Sequence, residues 1–206
     1  MHVLKGIRGL KWEEFCAGVC KKKAVRKTLT AILALLFLAL AAAVIPECAA
    51  QDAAPSEYQI KAAFLFNFAK FIQWPPEVFA TTNSPLVIGV LGQNVFGDNL
   101  ERTINNKTIN NRPLECKQFR SVAEVTNCQI LFISASEKDR FPKIMDALRG
   151  TSVLTVSETD QFIEAGGMIN FVIEANKIHF QINDEAAKKS GLTISSKLLS
   201  LAVHPH

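Results

Sequence analysis

The glycines that follow the first apolar run after residue 51 are candidates for a phosphate-binding loop. Gly92 and Gly97 have the separation of the first glycines of a P-loop, and they come directly after the apolar run 85–91. A P-loop continues with Lys and then Ser or Thr, but Asp98 and Asn99 stand at those positions, and a carboxylate repels phosphate. The dinucleotide-binding spacing G-x-G-x-x-G is also absent. These glycines therefore indicate a turn between a strand and a helix.

Few other side chains have the types and spacing that catalysis requires. A Ser-His-Asp arrangement could be assembled from Ser134, Ser157 and His179, but no nucleophile elbow surrounds either serine. His204 and His206 lie at the end of the chain, where two histidines bind a metal only weakly. The acidic residues occur singly or at predicted helix starts, where they stabilise helix caps. The sequence therefore predicts no catalytic residues, no metal site and no cofactor.

The first 50 residues have the pattern of a secretory signal. A cationic cluster at 21–27 precedes an uncharged apolar stretch of 17 residues, 29–45, and small residues follow. We predict a signal peptide over residues 1–50, cleaved after Ala50 or Ala43. The residues before the cationic cluster make this leader longer than usual at its amino end. The alternative is an uncleaved membrane anchor, because 17 apolar residues stand at the lower limit for a membrane-spanning helix.

The positive charge of the chain belongs to this leader. The whole chain has a net charge of +4, but residues 51–206 carry 15 Lys and Arg against 16 Asp and Glu. Binding to nucleic acid depends on a basic surface, and residues 51–206 show no excess of basic residues. We therefore predict an exported protein that does not bind nucleic acid.

Export also decides how the cysteines are interpreted. Beyond residue 51 the chain has two cysteines, Cys116 and Cys128. In an oxidising compartment two cysteines most simply pair, so we predict a Cys116–Cys128 disulfide. The alternative is two buried free thiols. A zinc site is a weaker interpretation, because two cysteines without a nearby histidine supply too few ligands.

Hydrophobic periodicity predicts an α/β fold for residues 51–206. Continuous apolar runs indicate buried strands, period-two alternation indicates an edge hairpin, and a 3.6-residue period indicates helices. The predicted strands are 85–91, 112–119, 129–133 and 152–156, with a hairpin of 169–174 and 178–182. The predicted helices are 56–73, 95–104, 136–149, 184–190 and 194–202. This order predicts a single domain, a three-layer α/β/α sandwich with a mixed, mostly parallel sheet ending in an antiparallel hairpin.

The first predicted helix is apolar nearly all round, and this indicates a helix packed between layers. Phe66 is the exception, because it falls within the narrow polar stripe of this helix. An apolar patch with a polar rim would suit a protein partner. We therefore name three candidate interface residues: Phe66 in this helix, and Leu198 and Leu201 in the last predicted helix.

Several segments, taken together in order and spacing, resemble the YfiR-like family of periplasmic proteins. They are 58–71 with Trp74-Pro75, 89–92, 128–133, 153–157, 166–169 and 194–199. The resemblance covers roughly residues 56–202. It implies a periplasmic repressor, not an enzyme, which binds the periplasmic sensor region of an inner-membrane diguanylate cyclase and lowers cyclic-di-GMP signalling. It also implies that an outer-membrane lipoprotein can sequester the repressor and that redox state acts through disulfides, here Cys116 and Cys128.

Two other functions remain as alternatives. A periplasmic small-ligand binding or sensor module would have a polar-lined pocket at the strand ends near 92–94 and Ser134. An enzyme with an unrecognised site would need ionisable groups converging in a cleft. The sequence leaves open the identity of the partner, the releasing signal and whether the chain forms a homodimer.

Overall fold

The computed structural model describes residues 55–203. The predicted signal peptide over residues 1–50 lies outside the described residues, as do His204 and His206. The first element is helix α1, Glu57–Phe71. The Ser56 hydroxyl accepts a hydrogen bond from the Gln59 amide, and the Gln59 side chain accepts one from the Ser56 amide. This reciprocal capping box is what the sequence predicts for the helix start.

The remaining helices are short. They are α2 (Asn99–Ile104), α3 (Phe141–Leu148), α4 (Asp184–Lys189) and α5 (Ser196–Leu199). Three 3-10 helices cover Pro76–Val78, Val122–Glu124 and Ala135–Arg140. Within residues 55–203 no helix has both the length and the apolar character to cross a bilayer.

Nine strands alternate with these helices in the described part of the chain. They are β1 (Ile72–Gln73), β2 (Leu86–Leu91), β3 (Thr108–Ile109), β4 (Arg112–Phe119), β5 (Ile130–Ile133), β6 (Leu154–Ser157), β7 (Ile169–Glu174), β8 (Lys177–Ile182) and β9 (Thr193–Ile194). The main sheet has seven strands in the order β3-β4-β2-β5-β6-β7-β8. The five inner strands are parallel, while β3 and β8 pair antiparallel at the two edges. This confirms the mixed, mostly parallel sheet that ends in a hairpin.

The sheet has a hydrophobic core on each face, which confirms the three-layer sandwich. On one face, here called the α1 face, helix α1 packs with α2, α4 and α5 against residues such as Ile88, Ile130 and Leu154. On the opposite face, the α3 face, helix α3 packs against Val87 and Leu131. Successive strand residues alternate between these two cores, because side chains of a strand point to opposite faces.

Helix ends differ from the predicted boundaries where tertiary contacts take over. The first helix was expected to reach residue 73, but Ile72–Gln73 form β1 and pair with Thr193–Ile194 of β9. The same pairing shortens the last predicted helix, 194–202. The Ser195 hydroxyl accepts a hydrogen bond from the Leu198 amide, so α5 begins at Ser196.

Candidate interaction surface

The three candidate interface residues lie in different environments. The Leu198 side chain is 3% exposed and belongs to the core of the α1 face, so its assignment to an interface is wrong. It projects inward because α5 must bury one apolar residue against α1. Leu201, by contrast, is 60% exposed. Phe66 is half-buried and packs against the edge of the same core.

Two lysine ammonium groups approach the Phe66 ring. The Lys70 Nζ atom lies 4.1 Å from the ring centroid, and the Lys107 Nζ atom lies 4.5 Å from it. Both distances are within the range of cation–π attraction. Lys70 comes from the last turn of α1, and Lys107 comes from the loop between α2 and β3. The Phe66 ring therefore contacts lysines from two segments, α1 and the loop between α2 and β3, and it also packs against the core.

A third lysine extends this positive region along the other flank of α1. The Lys197 Nζ atom, in α5, lies 5.6 Å from the centroid of the half-buried Phe71 ring. Leu201 follows α5 by two residues and is exposed beyond it. We call these residues the lysine–aromatic surface: Phe66, Lys70, Phe71, Lys107, Lys197 and Leu201.

The lysine–aromatic surface has no carboxylate of its own. None of its three lysines forms an ion pair with another residue of the described part. The one acid of α1, Glu57, is paired with the buried Lys61. Asp98, which immediately precedes the neighbouring helix α2, is paired with Arg102 of that helix, and the charge of Glu101 in α2 acts on Cys116. Three positive charges thus face solvent without compensation from described residues.

A buried ion-pair cluster, which the sequence analysis did not identify, holds α1 to the sheet. Lys61 is 2% exposed, and its ammonium pairs with Glu57 one turn earlier and with Glu158 just after β6. The Tyr58 hydroxyl donates to the second oxygen of Glu158 at 3.2 Å. The four-residue spacing of Glu57 and Lys61 was the available signal, although it pointed only to a local helix pair.

The pKa directions in this cluster follow from burial and charge. Burial, assisted by the negative charge of Glu158, raises the pKa of Tyr58 above 10.0. Burial alone would lower the pKa of Lys61, but the hydrogen bonds and charges of Glu158 and Glu57 outweigh it, so the pKa rises above 10.5. Lys61 therefore keeps its positive charge near neutral pH, and its ammonium tethers α1 to the end of β6.

The predicted Cys116–Cys128 disulfide is not formed in this structure, where both cysteines are free thiols. The two thiols lie on opposite faces of the sheet. Leu114, two residues before Cys116 on β4, packs toward the α1-face core, whereas Cys128 belongs to the α3-face core with Phe119. Gly89 of β2 lies directly beside Cys128 on the α3 face, because a Cβ atom there would be 2.9 Å from the Cys128 sulfur.

Both thiols are disfavoured as thiolates. Burial raises the pKa of Cys128 to about 12, although backbone hydrogen bonds oppose the rise. Burial, together with the charge of Glu101, raises the pKa of Cys116 to about 11, even though part of that side chain is exposed. Since the thiolate is the reactive form, neither cysteine has the character of a redox or catalytic nucleophile.

The strand ends near residues 92–94 do not form the pocket that a ligand-binding module would need. A Cβ atom on Gly92 would lie 2.5 Å from the Ser136 hydroxyl oxygen and 2.7 Å from Glu137. The Gln93 amide donates to the same hydroxyl at 2.9 Å. Ser134 is buried, and its backbone amide donates to Leu91. Protein atoms therefore fill the place where the pocket was expected.

The structure does contain a cleft elsewhere, of about 330 Å³, between the end of α3 and the start of α4. Its lining combines apolar side chains such as Met145 and Met168 with charged ones such as Arg149, Glu185 and Lys189. Its volume is near the lower end of the range for small-molecule sites. This cleft is where a small-ligand interpretation would have to be tested.

The side chains considered for catalysis are not assembled into a site among the described residues. The Ser157 hydroxyl donates to the Ile133 carbonyl at 2.8 Å and is completely buried. His179 is half-buried on β8, opposite Val172 of β7. In the part of the chain from 55 to 203, no group of three or more His, Cys, Asp or Glu could hold a metal ion.

Comparison with known proteins identifies the family of this three-layer sandwich. The YfiR/HmsC-like family model matches residues 58–203, so the chain belongs to that family. Members of this family are regulators rather than enzymes. No curated protein matches the chain.

Proposed function

We propose that this chain is an exported periplasmic regulator that binds the periplasmic sensor region of an inner-membrane diguanylate cyclase and holds it inactive. Binding lowers the production of cyclic-di-GMP. An outer-membrane lipoprotein that sequesters the regulator would release the cyclase. The chain itself transforms no substrate.

The family match over residues 58–203 is the observation that carries this proposal, because it spans nearly all of the described fold. The leader-like first 50 residues support export. The lysine–aromatic surface supports a role in binding protein, since it combines unpaired charge with aromatic rings and the exposed Leu201. A repressor of this kind needs only a higher affinity for the inactive state of its target.

The test uses the exported form, residues 51–206, with a tag, on solubilised inner membranes. We expect it to capture a membrane diguanylate cyclase, and we expect cyclic-di-GMP synthesis in the captured fraction to fall when more regulator is added. A second sample without the regulator is the control. Absence of any cyclase from the captured fraction, together with unchanged synthesis, would overturn the proposal.

A small-ligand sensor is the second candidate, and the cleft between α3 and α4 is the observation that favours it. Its charged rim of Arg149, Glu185 and Lys189 suits a small zwitterion. A thermal-shift screen with amino acids and related zwitterions tests it. A ligand that raises the melting temperature of the wild type, but not of an Arg149→Ala/Lys189→Ala variant, would support this function.

A further inference from the structure

Two like charges converge on one ring in the lysine–aromatic surface. The Lys70 and Lys107 ammonium groups both lie within 5 Å of the Phe66 centroid, at 4.1 and 4.5 Å. The negative face of the ring attracts each of them, but the two ammonium groups repel each other. Carboxylates of a partner that approach the ammonium groups from solvent would relieve that repulsion and accept charge-assisted hydrogen bonds from them.

Described residues do not supply such carboxylates. Neither Lys70 nor Lys107 forms an ion pair among residues 55–203, and the exposed residues Gln59, Ala63 and Asn67 of the same helix face are uncharged. The small Ala63 side chain leaves room for a partner backbone one turn away from Phe66. The surface is therefore complementary to an elongated, acidic chain segment lying along α1.

We infer that the lysine–aromatic surface binds an acidic segment of a partner protein, whose carboxylates pair with Lys70 and Lys107. Lys197 would contact a further acidic residue on the other flank of α1, and Leu201 would contact an apolar residue. This inference deepens the proposed function, since it rests on the regulator having a protein partner and names the chemistry of the segment that it binds.

A membrane surface is a poorer match for the same charges. Interfacial binding to anionic lipid is strengthened by exposed aromatic or aliphatic side chains that insert between headgroups. The rings of Phe66 and Phe71 are instead half-buried against the core. Leu201 is the one large apolar side chain of this surface that is mostly exposed. Two ammonium groups close to one ring are a localised positive site, which suits the carboxylates of a protein segment.

The experiment first tests the surface without the cyclase. A helical peptide of Glu and Leu is titrated into the 15N-labelled exported form, and amide shifts are followed by NMR. We expect saturable shifts confined to the lysine–aromatic surface. A Lys70→Glu/Lys107→Glu variant should bind the peptide at least about ten-fold more weakly. The matched control, Lys138→Glu/Lys143→Glu, reverses two exposed lysines preceding and within α3 and should bind as the wild type does.

The same variants are then tested for repression and for lipid binding. We expect the Lys70/Lys107 variant to lose repression of the cyclase and the control variant to keep it. The wild-type protein should not co-sediment with vesicles of phosphatidylglycerol and phosphatidylcholine. The inference would be overturned if the peptide caused no amide shifts, or shifts scattered over the whole fold. It would also be overturned if the wild type co-sedimented with the vesicles and the Lys70→Glu/Lys107→Glu variant did not. Peptide binding without cyclase repression would instead overturn the proposed function alone.

Discussion

Two leucines three residues apart show how burial divides structural from surface roles. Leu198 packs under α5 against the α1-face core, whereas Leu201 projects into solvent just beyond it. Their identical chemistry makes them a natural pair for comparison. Any role in binding a partner therefore belongs to Leu201, while Leu198 keeps α5 in place.

Substitution to alanine separates these roles. Leu198→Ala should lower the free energy of unfolding by about 2–5 kcal/mol, because it removes buried apolar contacts and leaves a cavity. Leu201→Ala should change it by about 0.5 kcal/mol or less, because that side chain is mostly exposed. Urea unfolding followed by circular dichroism measures both. Equal losses would contradict the assignment of Leu198 to the core.

The sequence could place these residues only in part. Helical periodicity identified Phe66 as the aromatic outside the buried stripe of α1, and it is half-buried with two lysines on its ring. Helical periodicity could not predict that Lys107 contacts the same ring, because that contact joins segments about 40 positions apart. The cysteine pairing failed in this structure for a related reason. Cys128 precedes β5, so strand alternation does not reveal which face it occupies.

At the scale of elements, α1 is attached to the sheet by charge as well as by packing. Its buried residues include Leu65 and Phe68, yet its first turns are held by Lys61 bonded to Glu158 beyond β6. The partners differ in exposure: the Glu158 side chain is 12% exposed and the Glu57 side chain 44%. The inner partner should therefore carry most of the stabilisation, because solvent screens the outer one.

Neutralising each carboxylate in turn tests this expectation. Glu158→Gln should lower the free energy of unfolding by about 3 kcal/mol, because it leaves a buried ammonium with one exposed partner. The control, Glu57→Gln, should cost about 1 kcal/mol or less. Thermal or urea unfolding of both variants gives the comparison. A larger loss for Glu57→Gln than for Glu158→Gln would show that the helix pair dominates.

Elements whose pattern is local were predicted well, and those made by tertiary contact were not. The buried strands and the hairpin agree with the apolar runs, because each is buried on one or both faces. The pairing of β1 with β9 has two residues on each side and no periodic signal. Helix α2 starts later than expected, because the Asn94 side chain accepts a hydrogen bond from the Phe96 amide and fixes a turn.

At the scale of the whole molecule, four groups within residues 55–203, besides the fully exposed Lys188, bind their protons more tightly in the folded state. The pKa of Cys128 rises from 9.0 to about 12 and that of Cys116 to about 11, while those of Tyr58 and Lys61 rise above 10.0 and 10.5. As pH increases, the unfolded chain releases these protons first. The stability present below about pH 9 is therefore lost progressively above it.

This loss should be measurable and should depend on Cys128. We expect the free energy of unfolding, from urea titrations under reducing conditions, to fall between pH 8 and pH 11. Cys128→Ser should flatten that decline, because serine does not titrate in this range. Cys116→Ser, the matched control, should flatten it less, because its pKa is raised less. Indistinguishable slopes in all three proteins would refute this origin of the alkaline loss.

The β1–β9 ladder has a consequence for the order in which the molecule is completed. It joins Ile72–Gln73 to Thr193–Ile194, and Ser195 then donates its amide hydrogen to the Phe71 carbonyl. In a chain that emerges amino end first from a ribosome or a translocation channel, the end of α1 therefore has no strand partner until Thr193–Ser195 have also emerged. Such long-range closure delays the final folding step. Termination of the chain before Thr193 would leave the end of the first helix without these partners.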